Sequence, residues 1–243
     1  MSRARDTIVL NGPSARDTTR FTWAKHVTPD QLQRVHKAMS QRLVKKGDLV
    51  CRAGGPPDNW YGVVDGLVKM SLTTHDGGEV IFLVISTGGW FGEGTLLKKE
   101  RRRYDIVALR DTRIALMPRT SFIWLVDNSP TFDRFLLDQL NARLGQVLAS
   151  LAHGKVRGRA QSIYARVAHS LATLFDPHLY PNTNRTIRLS QEEVGHLAGI
   201  SRQRANQALH GLEREGLVTV SYGNVTVLDI TRLQNYIAAS RKP

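Results

Sequence analysis

The chain has 243 residues, with 34 Lys+Arg against 21 Asp+Glu and a formal charge of +13. That length allows one large domain or two small ones, and 41% hydrophobic residues support a buried core and exclude a wholly disordered chain. No apolar run approaches the roughly 18 residues of a membrane span; the strongest, Val80 to Ile85, has the length of a strand. The first twenty residues are polar and charged, without the apolar core of a signal peptide. Cys51 is the single cysteine, which excludes an intrachain disulfide, a Cys-only zinc site and a cysteine-ligated iron–sulfur cluster. The expectation is a soluble, cytoplasmic, basic protein with no membrane partner, whose positive charge suits a polyanion. Residues 154–243 hold 12 Lys+Arg and 6 Asp+Glu, residues 1–153 the other 22 and 15. The shorter C-terminal part is therefore the more basic per residue.

Residues 1–24 show no period and read as a flexible arm. Residues 29–41 place Leu32, Val35 and Met39 at helical spacing behind Thr28-Pro29, which predicts an amphipathic helix. Over residues 42–119, short runs rich in Val, Ile, Leu and Tyr alternate with glycines from Gly47 to Gly92, the pattern of an antiparallel barrel or jelly roll. His75-Asp76-Gly77-Gly78 is its clearest hairpin turn.

The pattern turns helical from Ser121. Behind Ser129-Pro130, a long segment carries Leu137, Leu140, Leu144, Val147 and Leu151 at alternating +3 and +4 steps. That heptad seam suits pairing with a second copy; the alternative is a helix packed on its own domain. Residues 154–159 (GKVRGR) read as a hinge, and Ile163, Val167, Leu171 and Leu174 mark one face of a further helix. Asp176 to Thr186 reads as a loop.

The stretch from Arg188 to Ile230 is the most informative. Ser190 and Glu193 form a capping box that starts a helix of about eight residues ending at Gly199. Ser201 caps a second helix that ends at Gly216. Two helices joined by so tight a glycine turn make a helix-turn-helix, and the strands around Tyr222-Gly223-Asn224 add a wing. Ala205, Leu209 and Leu212 face inward, which leaves Arg202, Gln203, Asn206, Gln207 and His210 outward. Arg, Asn and Gln pair with guanine and adenine edges in the major groove, and no acidic residue stands between Ser201 and Leu212 to repel phosphate. Arg202, Gln203, Asn206 and Gln207 are the expected base readers. Arg188, Ser190, Gln191 and Ser201 complete the DNA-binding set, with Arg188 and Gln191 expected to touch phosphate.

This order of parts resembles the Crp/Fnr transcription regulators, over about residues 28 to 236. The residues that carry the resemblance are Lys46-Gly47-Asp48, Val63 through Lys69, Gly88-Gly89-Trp90-Phe91-Gly92-Glu93 and SQEEVGHLAGISRQRANQALHGLEREGLV. It implies an α+β chain with a flexible arm (1–24), a jelly-roll sensor domain like the cyclic-nucleotide-binding barrels (25–128), a dimerisation helix (129–155) and a winged helix-turn-helix (156–243). It also implies a homodimer on a two-fold operator in double-stranded DNA, with RNA polymerase as a further partner.

In such barrels the Phe-Gly-Glu cassette opens a short helix whose N–H groups hold a cyclic phosphate, while the Glu accepts from the ribose 2′-hydroxyl. Gly92, Glu93, Gly94, Thr95, Arg102 and Arg103 are the corresponding candidates here, for a cyclic nucleotide or another small effector. Arg102 takes the place of the phosphate-binding arginine. Arg103 and Tyr104 stand where the family has small residues, and are expected to add bulk and charge inside the pocket, so cyclic AMP is not expected to be the switch. Haem sensing would need His75 as its ligand. Cys51 reads as a small packed residue, the alternative being a redox-sensing thiol.

No HExxH, GxSxG or Walker loop appears, so no catalytic or metal-binding residue is assigned and no enzyme is expected. An architectural DNA-packing protein is the second reading. Its outward helix face would carry Lys in place of Asn and Gln.

Overall fold

The computed structural model describes residues 8–10, 12–14, 17, 21–73, 79–155, 162–180 and 184–236, with the backbone alone at 8–10 and 149–155. The turn holding His75, and residues 156–159 of the expected hinge, lie outside the described residues. The chain divides into two compact units, Met1–Asn141 with His178–Tyr180, and Ala142–Pro177 with Pro181–Pro243.

The first unit is a two-sheet β-sandwich. Strands β1 (Ile8–Leu10), β2 (Ser40–Val44), β4 (Asn59–Asp65), β7 (Trp90–Phe91) and β9 (Thr112–Pro118) form one sheet in the order β1-β2-β9-β4-β7. Strands β3 (Leu49–Cys51), β5 (Leu67–Thr73), β6 (Glu79–Ser86) and β8 (Asp105–Ala108) form the other in the order β3-β8-β5-β6. Every pairing is antiparallel. Helix α1 (Pro29–Ala38) begins in a reciprocal capping box, in which Thr28 Oγ1 accepts from Gln31 N–H and Gln31 Oε1 accepts from Thr28 N–H. It stops before residue 41, because Ser40 to Val44 are paired with β9 and ladder bonds override the helical period. Met39 then drops into the core.

The unit's core is aromatic. Trp60 and Trp90 lie 4.4 Å apart by ring centroid, with Trp23 5.7 Å from Trp90 and Phe122 5.2 Å from Trp60. Helix α2 (Glu93–Lys98) contributes Leu96, and helix α3 (Arg119–Asn128) contributes Phe122 and Leu125. Helix α4 (Pro130–Lys155) adds Phe132, Phe135 and Leu136 from its first two turns. Ser129 and Thr131 hydroxyls both donate to the His26 carbonyl, at 3.1 and 2.7 Å, and anchor the start of α4.

The expected arm is corrected at both ends of its described part. Ile8 to Leu10 pair with β2, and Phe21 and Trp23 are buried, Trp23 within a short 3-10 helix (Thr22–His26). Polar composition hid two large aromatics, and their burial outweighs the lack of a period. Helix α4 also runs through Gly154 and Lys155, so the hinge expected from residue 154 does not begin there.

The second unit is built on helix α5 (Ile163–Ala172), capped by Ser162, whose Oγ accepts from Tyr164 and Ala165 N–H. A 3-10 turn (Thr173–Phe175) follows. Then come β10 (Thr186–Arg188), α6 (Gln191–Ala198), α7 (Arg202–Arg214), β11 (Val218–Ser221), β12 (Asn224–Val227) and α8 (Ile230–Gln234), with the strands in the order β10-β12-β11. A Cβ on Gly211 would lie 2.1 Å from a Tyr164 ring carbon, so only glycine lets α5 and α7 approach this closely.

Candidate functional site

Helices α6 and α7 form the turn that the sequence predicts, and each boundary has a local cause. Ser190 Oγ accepts from Glu193 N–H while Glu193 Oε2 accepts from Ser190 N–H at 2.7 Å, which closes the start of α6. Gly199 ends it with φ +62°, in the left-handed region. Arg166 of α5 donates to both the Ala198 and Gly199 carbonyls at 2.8 Å, bonding acceptors at the helix end. A Cβ on Gly195 would lie 2.8 Å from the Ile200 carbonyl oxygen, so the two helices cross where no side chain fits.

Ser201 Oγ accepts from Arg204 N–H and caps α7. Ala205, Ala208, Leu209 and Leu212 are buried, which leaves Arg202, Gln203, Arg204, Gln207 and His210 exposed and Asn206 half-buried. The exposed face therefore carries amide, guanidinium and imidazole groups and no carboxylate. The hydroxyls of Ser190 and Ser201 are engaged as caps. Gln191 Nε2 donates to Asn206 Oδ1 at 2.7 Å, joining the first turn of α6 to the face of α7.

The wing is tied to the same helix. Glu213 Oε1 accepts from Val220 N–H at 2.7 Å, and Glu213 Oε2 lies 3.3 Å from His210 Nδ1. The Val220 N–H, and after it His210, hold the Glu213 carboxyl below the usual carboxylate value. Across the three strands, Arg188, Asn224 and Ser221 align in register, as do Thr186, Thr226 and Thr219. These six side chains include no acid. At the tip, Gly223 has φ +72° and Tyr222 stands wholly in solvent, at 104% relative exposure. Sequence patterning marks Tyr222 only as a turn residue; its exposure beside Arg188 and the serine and threonine hydroxyls adds it to the candidates.

In the barrel, Gly92 takes φ +100° ahead of α2, and Arg102 reaches beneath it. The Arg102 side chain is 1% exposed, its Nη2 donating to the Asn59 carbonyl at 2.9 Å and to Asp58 Oδ1 at 3.3 Å. Its guanidinium lies 4.6 Å from the Tyr61 ring centroid, and the Tyr61 hydroxyl donates to the same Asp58 oxygen. Arg102 Nη1 is buried without a partner among the described residues, 3.0 Å from where a Cβ on Gly92 would stand. Gly94 and Thr95 are half-buried, and a Cβ on Gly94 would meet nothing within 4 Å.

Two expectations about this pocket are corrected. Arg103 adds no bulk inside, because its side chain is 76% exposed and pairs with Glu100 at 2.8 Å. Glu93 is turned into the core, 3% exposed, with Oε2 accepting from Trp60 Nε1 at 3.2 Å. Tyr104, next in sequence, is half-buried and hydrogen-bonds the Thr95 side chain. Burial, then the Glu93 charge, pushes its hydroxyl up to about 12. A cyclic nucleotide calls for a cation toward its phosphate and an acceptor toward its ribose hydroxyl. Arg102 and Gly92 suit the anion, while one oxygen of Glu93 already accepts from Trp60.

Of the seam on α4, Leu137 and Leu144 are 60% and 55% exposed, while Leu140 and Val147 are half-buried. Leu148, outside the expected set, is 55% exposed, and the Leu151 side chain lies outside the described residues. Among the described residues no helix is long and apolar enough to cross a membrane, and no three His, Cys, Asp or Glu side chains group as a metal site.

Residues 41–129 match the family model of the cyclic nucleotide-binding domain, and residues 165–236 match that of the Crp-like helix-turn-helix domain. Among curated proteins, the chain is 28% identical over 201 residues to the transcriptional regulator SdrP of Thermus thermophilus, covering 81% of this chain and 93% of that protein. It is 26% identical over 211 residues to the cyclic AMP receptor protein of the same organism, covering 86% and 93%. The structure of FixK2 from Bradyrhizobium japonicum aligns over 83% of this chain and 98% of its own, with a TM-score of 0.66 at 21% identity, a likeness of fold.

Burial, opposed by Arg102 and Arg42, moves the Cys51 thiol from an ordinary 9.0 up to about 11. The thiolate fraction at pH 8 should then be about a hundredfold below that of an unperturbed thiol. Iodoacetamide at pH 8 should alkylate native Cys51 about a hundredfold more slowly than the unfolded chain. Equal rates would show that the thiol is not held in its neutral form.

Proposed function

We propose that this chain, which belongs to the Crp/Fnr family of transcription regulators, works as a homodimer that reads the base edges of a two-fold DNA operator. The carrying observation is the exposed, carboxylate-free face of α7, braced by Arg166 through the end of α6 and by Glu213 at the wing. Arg202 places five N–H donors where a guanine O6/N7 edge can take two of them, and Gln203 and Gln207 suit adenine N6/N7. Arg188 and the wing tip at Tyr222 suit the sugar–phosphate backbone, contacts that position the protein without reading sequence. Cytoplasmic location and contact with RNA polymerase follow from that role.

Helix α4 supports pairing with a second copy. Leu137, Leu144 and Leu148 lie within a narrow stripe and remain exposed, on the side opposite Phe132, Phe135 and Leu136. Two copies would bury that stripe and present one reading helix each to half-sites about one turn apart. In the barrel, the unpartnered Arg102 Nη1 favours an anionic effector, while the Glu93–Trp60 bond and Tyr104 disfavour cyclic AMP as the switch.

Three outcomes follow. Leu144→Glu would place a charge in the stripe and should sediment as a monomer; a variant that stays dimeric removes α4 as the interface. Selected operator should bind about a thousandfold or more tightly than random duplex at fixed salt, whereas an architectural protein would show a ratio near one. In calorimetry, cyclic AMP at micromolar concentrations should give no binding coupled to operator affinity, and coupled binding would restore it as the effector.

A further inference from the structure

The hydrogen bond between Gln191 and Asn206 connects residues fifteen apart in sequence and lies on the face that would enter the groove. The reading of α7 as the base-contacting helix is its premise. Asn206 sits one turn into α7, half-buried, and its side-chain amide carries an acceptor at one end and two donors at the other. The two ends have nearly the same shape, so packing alone does not choose between them. A directed bond does. Gln191 Nε2 donates to Asn206 Oδ1, which turns the oxygen toward α6. Asn206 Nδ2 then has no partner among the described residues.

Gln191 is itself held in place. It is the first residue of α6, directly after the Ser190–Glu193 capping box. The crossing at Gly195 and the Arg166 bonds at the other end of α6 fix that helix against α7 and α5. An amide aimed from so anchored a position acts as an orientation device for its neighbour. The phosphate contact expected of Gln191 from sequence is therefore not its main role.

We propose that Gln191 is a positioning residue that presents the donor end of Asn206 to the major groove, and so excludes cytosine at one operator position. Guanine offers O6 and N7 as acceptors there, and thymine offers O4. Adenine offers N7 as an acceptor beside its amino group, whereas cytosine offers only its N4 amino group, which would face the Asn206 donor and leave both donors unsatisfied in a desolvated contact.

The test is a randomised-site selection on the full chain, comparing wild type with Asn206→Ala and with Gln191→Ala, Gln191→Lys and Gln191→Glu. Thermal unfolding of each variant is followed alongside. Asn206→Ala identifies the position by flattening it. Gln191→Ala should flatten the same position and no other. Lysine is a donor without an acceptor, so Gln191→Lys should keep the exclusion of cytosine there. Glutamate is an acceptor only and should draw Asn206 Nδ2 toward itself, turning Oδ1 outward. Gln191→Glu should then admit cytosine at the expense of guanine and thymine, a change of about tenfold in the base ratio. The proposal fails if all three Gln191 variants rescale affinity for every sequence alike and leave that position unchanged, as a phosphate contact would. A wild-type chain that selects no sequence at all removes the premise of base reading as well, and that failure is seen before any variant is compared.

Discussion

Gly62 has no side chain, and the Trp90 indole lies where one would be. A Cβ at Gly62 would stand 2.4 Å from a Trp90 ring atom, and the two residues are direct partners between β4 and β7. That close approach packs the Trp90 indole against the sheet and lets Trp60 lie against it. Around this pair gather Trp23 from before α1, Phe122 from α3 and Phe132 from the first turn of α4. Five separate segments are thereby fixed to one another by large apolar rings, the side chains with the greatest area to remove from water. Any side chain at position 62 would displace the indole at the centre of the cluster.

The same cluster reaches the candidate effector residues. An indole N–H buried in a core needs an acceptor, and Trp60 Nε1 finds one in Glu93. The carboxylate that the family pattern assigns to the ligand's sugar is thus drawn into the core at the end of α2. Arg102, on the other side of Gly92, is only partly neutralised by Asp58, whose side chain is half exposed at 50%. A buried guanidinium with one unpartnered nitrogen is costly to keep. Arg102 therefore keeps an open nitrogen beside Gly92, while one oxygen of Glu93 is bonded to Trp60.

Legibility in the sequence followed the range of the interaction. The bounds of α6 and α7 were readable almost to the residue, because Ser190, Glu193, Gly199 and Ser201 act on backbone within one turn of themselves. The glycine-punctuated strands were readable as an antiparallel barrel or jelly roll for a similar reason. Phe21 and Trp23 were hidden in a polar stretch, since what buries them comes from β7, β4 and α4. The outward turn of Arg103 depends on Glu100, and the inward turn of Glu93 on Trp60, a partner 33 residues away that no spacing rule connects. The Gln191–Asn206 bond belongs to the same class. Both residues were legible as polar surface, but their contact exists only because Gly195 lets the helices cross.

Local caps and one long-range bond give the helix-turn-helix a division of labour that residue type alone does not reveal. Hydroxyls that could have touched DNA, on Ser190 and Ser201, close helix ends. Carboxylates that would repel DNA are turned to internal use, Glu193 at a cap and Glu213 on the Val220 N–H of the wing. Glu193 and Glu213 thus brace the motif before and after the exposed face of α7, while the face between stays free of negative charge. A base edge is recognised by the direction of donors and acceptors, so a face whose side chains could turn freely would have affinity without selectivity. Bracing the helix limits where each side chain can point, and a directed bond to Asn206 limits which end of its amide points outward.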